Sequence, residues 1–312
     1  MTAAPILVTM GEPAGIGPEI AIAAVKALGG RVGAHPLGLV GDAGVLGAGV
    51  DVIPTKAHAT RVAGKPDRAN AAAVIEAIEI AAAACMRGEA AAMVTAPIHK
   101  AVLAGAGFGF PGHTEFLAHL AGAKRAVMML ASDKLRVVPL TIHIPIAQVP
   151  AAITAEGIVE TGEIMLAALK RDFAVAAPRL AVAGLNPHAG EDGVLGAEDG
   201  AIIAPAVAEL RRRGHRVSGP LSADTLFHEE ARAGYDAALC MYHDQALIPI
   251  KTLSFWEGVN VTLGLPIVRT SPDHGTAFDI AGRGLARADS LIAAIRMAAE
   301  IAARRAAAGH AS

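Results

Sequence analysis

Short apolar runs of strand length alternate with alanine-rich stretches of helix length along most of the chain, and no other feature limits its fold as much. A repeating order of this kind predicts an α/β protein, in which helices cover the faces of a sheet. Strand-like runs lie at Ile6 to Met10, Pro36 to Val40, Ala91 to Val94, Ala126 to Leu130, Leu135 to Ile142, Leu180 to Leu185, Ala237 to Met241 and Val259 to Leu263. So many strands predict a large or split sheet. Helices are predicted over Asp67 to Arg87, over Ala197 to Arg213 and over Ser290 to Ala308; the second ends in Arg211, Arg212 and Arg213, where positive charge suits a helix C-terminus.

A length of 312 residues predicts about two domains. Hydrophobic residues at 53% and charged residues at 18% exclude a disordered chain. Aromatic residues are only 3%, the formal net charge is -2, and neither sign forms a long run, so there is neither a stacking platform nor a basic footprint for nucleic acid. Cys85 and Cys240 lie far apart in apolar surroundings and read as core thiols, with no disulfide framework or local zinc motif. Met1 to Thr9 lacks the basic and apolar regions of a signal peptide. Pro139, Pro145 and Pro150 break the charge-poor stretch Val137 to Ala155 before it could span a bilayer. The expectation is a cytoplasmic protein without a membrane partner. Thr55 to Pro66 is the one polar stretch that reads as a linker.

In a doubly wound sheet ligands gather at the carboxyl ends of strands, so polar residues just after apolar runs draw attention. His143, His188, His243 and His274 all satisfy that rule. From the pattern alone, hydrogen-bonded loop histidines and neutral imidazole metal ligands both stay open, since the spacings are unlike those of a local zinc motif. The loop Gly11-Glu12-Pro13-Ala14-Gly15-Ile16-Gly17-Pro18-Glu19 follows the first strand and opens a helix. It reads either as an anion cradle or as a tight turn, and its glycine spacing fails the dinucleotide fingerprint. His113 and Thr114, after Gly112, offer an imidazole and a hydroxyl at another helix start, with a Thr N-cap as the plain alternative. Lys251 and Arg269 stand in otherwise apolar stretches, where cations usually have an anionic partner.

The strings Leu185-Asn186-Pro187-His188-Ala189-Gly190-Glu191, Ala223-Asp224-Thr225, Met241-Tyr242-His243-Asp244-Gln245, Val259 to Pro266 and Arg269-Thr270-Ser271 resemble the 4-hydroxythreonine-4-phosphate dehydrogenase family of vitamin B6 synthesis. The likeness covers nearly the whole chain with the motifs in order. Asp273 to Gly282 is similar to the adenosine-side loop of isocitrate and isopropylmalate dehydrogenases, whose fold that family shares.

The resemblance implies a two-domain fold of that type with an interdomain cleft. The first domain spans 1–121 and 246–312 and carries the cofactor; the second spans 122–245 and carries metal and dimer contacts. His143, His188 and His243 are implied as ligands of one divalent metal: zinc, with cobalt, manganese or magnesium as alternatives. His113, Thr114, Lys251, Asn260 and Arg269 are implied substrate contacts. His274, Gly275, Asp279 and Gly282 are implied to hold NAD or NADP, and Lys251 and Asp224 are candidates for the general base. A homodimer whose active site draws on both subunits is implied as well.

The implied reaction oxidises 4-phosphohydroxy-L-threonine at C3. Two departures, Ala246 where many members have Gly and the lone Trp256, leave 4-phospho-D-threonate or erythronate oxidation as an alternative. A phosphate-acyltransferase-like enzyme is the alternative from another class.

Overall fold

The computed structural model describes residues 3–309. Contacts among these residues divide the chain into two units, 3–126 with 259–306, and 127–258 with 307–309. The second crossing falls at 258, beyond the expected 246, because position 246 lies inside the helix His243–Leu253. Ala246, Leu247 and Ile250 of that helix are buried in the core of the second unit, together with Leu130, Val137, Ala181 and Cys240. Ala246 is therefore a packing residue at the point where relatives were expected to carry Gly. Trp256 is partly exposed and stacks edge to face on Phe255.

The first unit is built on strands β1 (Ile6–Thr9), β2 (Arg31–Val32), β3 (His35–Gly41), β4 (Val52–Pro54) and β5 (Ala92–Thr95), with β11 (Val259–Leu263) and β12 (Arg269–Pro272) returning late in the chain. Their order is β2-β3-β1-β5-β12-β11, with β4 paired to β3. β3, β1, β5 and β12 run parallel, and β11 is antiparallel to β12. Ile6, Val8, Leu39, Met93 and Val94 are fully buried.

Alanine, the residue most favourable to helix, dominates the helix Ala71–Met86, which packs on β1, β3 and β5. Together with its lead-in from Arg68, it is the one helix among the described residues long and apolar enough to cross a membrane, yet half of that window is buried. Its buried Ala73, Val74, Ala77, Ile78 and Ala81 identify it as a core helix.

The second unit holds β6 (Val127–Ala131), β7 (Arg136–Pro139), β8 (Arg179–Ala183), β9 (Arg216–Leu221) and β10 (Ala237–Cys240), in the order β6-β7-β10-β8-β9. β7, β10, β8 and β9 are parallel neighbours, and β6 is antiparallel to β7. The helix Ala155–Arg171 starts where the Thr154 hydroxyl accepts the Gly157 N–H at 3.0 Å and ends in Lys170 and Arg171. It buries Ile158, Met165, Leu166 and Leu169.

All eight predicted strands form. Four were missed: β2 and β4 are short, β9 is interrupted by Gly219 and Pro220, and β12 reads as polar yet is buried at all four positions. Thr270 resolves the contradiction in β12 by donating its hydroxyl to the Ala294 carbonyl at 2.8 Å. Thr55 to Pro66 is no linker. Gly64 N–H bonds the Ala14 carbonyl at 2.8 Å, and Thr60 exchanges two hydrogen bonds with Asn70.

Asp236 pins β8 to β10 at their amino ends. It accepts from the Arg179 N–H at 2.7 Å and from the guanidinium at 3.0 and 3.2 Å. Burial works against its charge, but these bonds prevail and hold the carboxyl below its usual range. A folded pKa below the unfolded one contributes stability that is complete above the unfolded value and is lost as pH falls through the folded value. Asp236→Asn should therefore lower unfolding free energy by about 1–3 kcal/mol at pH 7. The difference from the parent should shrink in denaturant titrations carried toward pH 2–3, at roughly the acid edge of carboxylate titration.

Candidate active site

In the second unit the three histidines and Asp224 follow the carboxyl ends of four neighbouring parallel strands. His143 follows β7, His243 follows β10, His188 follows β8 and Asp224 follows β9. The His143 and His243 rings stand 5.8 Å apart between centroids. His243 Nδ1 lies 2.6 Å from the Asp244 carboxylate, which fixes the ring and leaves Nε2 as its outward nitrogen. Asp224 is held ionised below its usual range, first by the Ser222 hydroxyl at 2.6 Å and also by the nearby His188.

Among the described residues no three His, Cys, Asp or Glu side chains converge to hold a metal ion. The expected trio is thus brought to one edge of one sheet without closing into a complete ligand set within a single chain. Two imidazoles at the His143 to His243 separation fit one shared ion, given metal–nitrogen bonds of about 2.0–2.1 Å.

In the first unit, Glu12 follows β1, His99 and Lys100 follow β5, and His274 follows β12. Because β11 runs the other way, its amino end, with Asn260, lies at the same edge. Arg269 is fully buried, and its guanidinium donates to hydroxyls: to Thr95 Oγ1 at 2.6 and 3.2 Å and to Thr262 Oγ1 at 2.9 Å. Burial pushes its pKa down to about 10, opposed by the charge of Glu115. His113 opens the helix His113–Leu120, and burial, with Arg269 and Lys100 nearby, pushes it well below the ordinary imidazole range. It is neutral at pH 7. His113 Nε2 and Asn260 Oδ1 are both buried without a hydrogen-bond partner. The N-cap of this helix is Gly112, so Thr114 is not the cap and its hydroxyl is not used there.

The loop after β12 is fastened to the glycine-rich loop after β1. Ile16 N–H donates to the Thr276 carbonyl at 2.9 Å, and the Glu19 carboxylate accepts from both Gly282 N–H and Arg61. His99 meets Phe278 edge to face at 4.9 Å. His274, Gly275, Asp279 and Gly282 are exposed along this fastened segment.

Residues 26–298 match the family described as pyridoxal phosphate biosynthetic protein PdxA. The 4-hydroxythreonine-4-phosphate dehydrogenase of Paracoccus denitrificans is 55% identical, over 97% of this chain and 99% of its own.

The chain belongs to the PdxA family.

A crystal structure of 4-hydroxythreonine-4-phosphate dehydrogenase from Klebsiella pneumoniae superposes on this PdxA-family chain with a TM-score of 0.87 at 38% identity, covering 96% of this chain and 100% of the other. A β-decarboxylating dehydrogenase from Thermococcus kodakarensis, at 16% identity and a TM-score of 0.50 over 99% of this chain and 88% of its own, shows the shared isocitrate/isopropylmalate dehydrogenase-like fold.

The PdxA-family residues singled out in the sequence divide between the units. His113, Thr114, Asn260, Arg269, His274, Gly275, Asp279 and Gly282 belong to the first. His143, His188, Asp224, His243 and Lys251 belong to the second, so Lys251 moves out of the half to which the expected boundary assigned it. Sequence reasoning missed Lys100, whose charge reaches His113, and Glu12, which is 1% exposed with its pKa raised by burial. Both follow apolar strands within a few residues, the signal that singled out the histidines. It also missed Thr95 and Thr262, which look like ordinary strand residues until Arg269 is seen against them.

Proposed function

We propose that this PdxA-family dehydrogenase oxidises 4-phosphohydroxy-L-threonine at C3, giving 2-amino-3-oxo-4-(phosphooxy)butanoate, which loses carbon dioxide to form 3-amino-2-oxopropyl phosphate. The observation that carries the reading is Arg269, a fully buried cation bonded to two hydroxyls, beside a neutral His113 whose Nε2 has no partner. Buried charge is costly unless an opposite charge meets it, so the arrangement is suited to a small dianionic substrate. Arg269 neutralises one of the substrate's anionic groups. His113 and Thr114 hydrogen-bond to phosphate oxygens, Asn260 meets a polar group of the carbon chain, and Lys251 neutralises the remaining anionic charge.

NAD or NADP would be held by His274, Gly275, Asp279 and Gly282 and would supply the hydride acceptor. A divalent cation, with zinc preferred by the imidazole donors, supplies Lewis acidity toward the alcohol. His143, His188 and His243 would hold it, and the ligand set would be completed in a homodimer whose active site draws on both subunits. Asp224, ionised at neutral pH, would take the hydroxyl proton; Lys251 is the alternative base only if it meets the substrate as the free amine, in place of its charge-neutralising role. A cytoplasmic location fits such a metabolic reaction.

The test is NADH or NADPH formation at 340 nm with purified protein and 4-phosphohydroxy-L-threonine, run beside 4-phospho-D-threonate, with chelator and metal replacement. Turnover of the first compound that is lost with chelator and restored by metal supports the proposal. Turnover of the second alone would keep the hydride chemistry and move the substrate to sugar acids. An acyltransferase would be silent in both wells.

A further inference from the structure

His188 stands in an uncommon backbone. Five consecutive residues, His188, Ala189, Gly190, Glu191 and Asp192, have φ between 42° and 81°. Four of them carry a Cβ, and L-residues avoid this region except as single positions, so local preference cannot hold such a turn. Something outside it must do so.

The structure places Asp199 in that position. It is 1% exposed and opens a π-helical turn, Asp199–Ile203, a feature that occurs mostly at functional sites. Its Oδ1 accepts the Leu185 N–H at 2.8 Å, and its Oδ2 accepts the Asn186 N–H at 3.1 Å and Asn186 Nδ2 at 2.9 Å. The second Asn186 Nδ2 bond goes to Glu198 at 2.8 Å. Both residues leading into the turn are thereby clamped by one carboxylate. The packing beneath leaves no slack. A Cβ on Gly184 would meet Asp199 Oδ1 at 2.7 Å, and one on Gly190 would meet the Gly196 carbonyl at 2.8 Å.

We infer that Asp199 is a positioning residue: its carboxylate clamps the Leu185–Asn186 backbone and fixes the left-handed turn that presents His188 as a metal ligand. The inference rests on the metal reading above. Outer-shell groups that orient a ligand typically change metal affinity by about 10–100-fold when removed. Asn at this position would turn an N–H toward backbone N–H groups that need an acceptor, releasing the clamp with little change of volume.

The experiment is competition of zinc against a chromophoric chelator, using the full chain and its His188→Ala, Asp199→Asn and Asn186→Ala variants. Circular dichroism and thermal unfolding are followed in parallel, and the visible spectrum is recorded with cobalt in place of zinc. Asp236→Asn serves as a control that weakens the same unit away from the turn. The expected result is roughly 10–100-fold weaker zinc binding and an altered cobalt spectrum in Asp199→Asn, a smaller loss in Asn186→Ala, and parental affinity in Asp236→Asn. Parental affinity in a folded Asp199→Asn protein would overturn the inference while leaving the metal reading intact. If Asp199→Asn does not fold, Asn186→Ala decides by the same criterion. Equal zinc binding by the parent and His188→Ala would remove the metal reading, and the inference with it.

Discussion

Arg269→Met should lose roughly 10³-fold in kcat/KM while melting no lower than the parent. The guanidinium is buried on every side, its bonds reach only Thr95 and Thr262 hydroxyls, and its pKa is already pushed down to about 10. With no carboxylate bonded to it and only the more distant charge of Glu115 to offset its burial, such a group opposes folding, and a straight apolar side chain of similar length removes that penalty. On the proposed reading, bound substrate would bring an anion to the same group in a site shielded from water. Truncating one partner of a buried charged pair costs about 2–5 kcal/mol, and each 1.4 kcal/mol is about tenfold in rate or affinity. Activity and stability should thus move in opposite directions, a signature that general disruption of the core does not produce. Steady-state kinetics with 4-phosphohydroxy-L-threonine and a thermal melt of the same preparation are sufficient. A variant that melts well below the parent and keeps its kcat/KM would show that Arg269 is structural.

His243→Ala should leave a folded protein that retains little bound zinc and turns over about 10³-fold more slowly. Metal polarisation of an alcohol is worth several kcal/mol, and the loss of one imidazole from a three-imidazole site forfeits most of it. The His243 ring is half-buried at the start of a helix, held by Asp244 and 5.8 Å from the His143 ring, so its removal leaves the buried core of that helix untouched. Metal analysis after dialysis and the 340 nm assay, each with and without excess zinc, check the expectation. Zinc content and rates equal to the parent would make the His143 and His243 pair a loop contact.

Much of this was legible in the chain. The eight apolar runs became strands because their Val, Leu, Ile, Met and Ala side chains have to be covered on both faces. Of the positions just after them, His143 and His188 sit in loops and turns for the same reason, while His243 opens the helix that follows β10. The helix Ala155–Arg171 escaped notice although it is well formed, because its apolar residues are spread among Glu156, Glu160 and Glu163 and do not form a continuous run. β12 escaped for the opposite reason: Arg269, Thr270 and Ser271 look like a surface loop, and only burial beside β5 and β11 explains them. The domain boundary could not be read because composition does not change between 246 and 258, and the helix His243–Leu253 runs on past 246 in the core of the second unit.

The amino-acid sequence by itself determined the α/β class and the family, and it singled out the candidate site residues. The class depends on side-chain type and spacing along the chain, which local physics reads directly, whereas the family and the candidate residues rest on the resemblance of the motifs. The tertiary structure alone decided that β10 inserts between β7 and β8, with β9 beyond, and so set His143, His243, His188 and Asp224 in a spatial order that differs from their order in sequence. It also placed His188 on a left-handed turn clamped by Asp199, and put a buried cation where no carboxylate bonds it. Strand order and burial of this kind arise from packing between residues tens to hundreds of positions apart, and no local propensity encodes them.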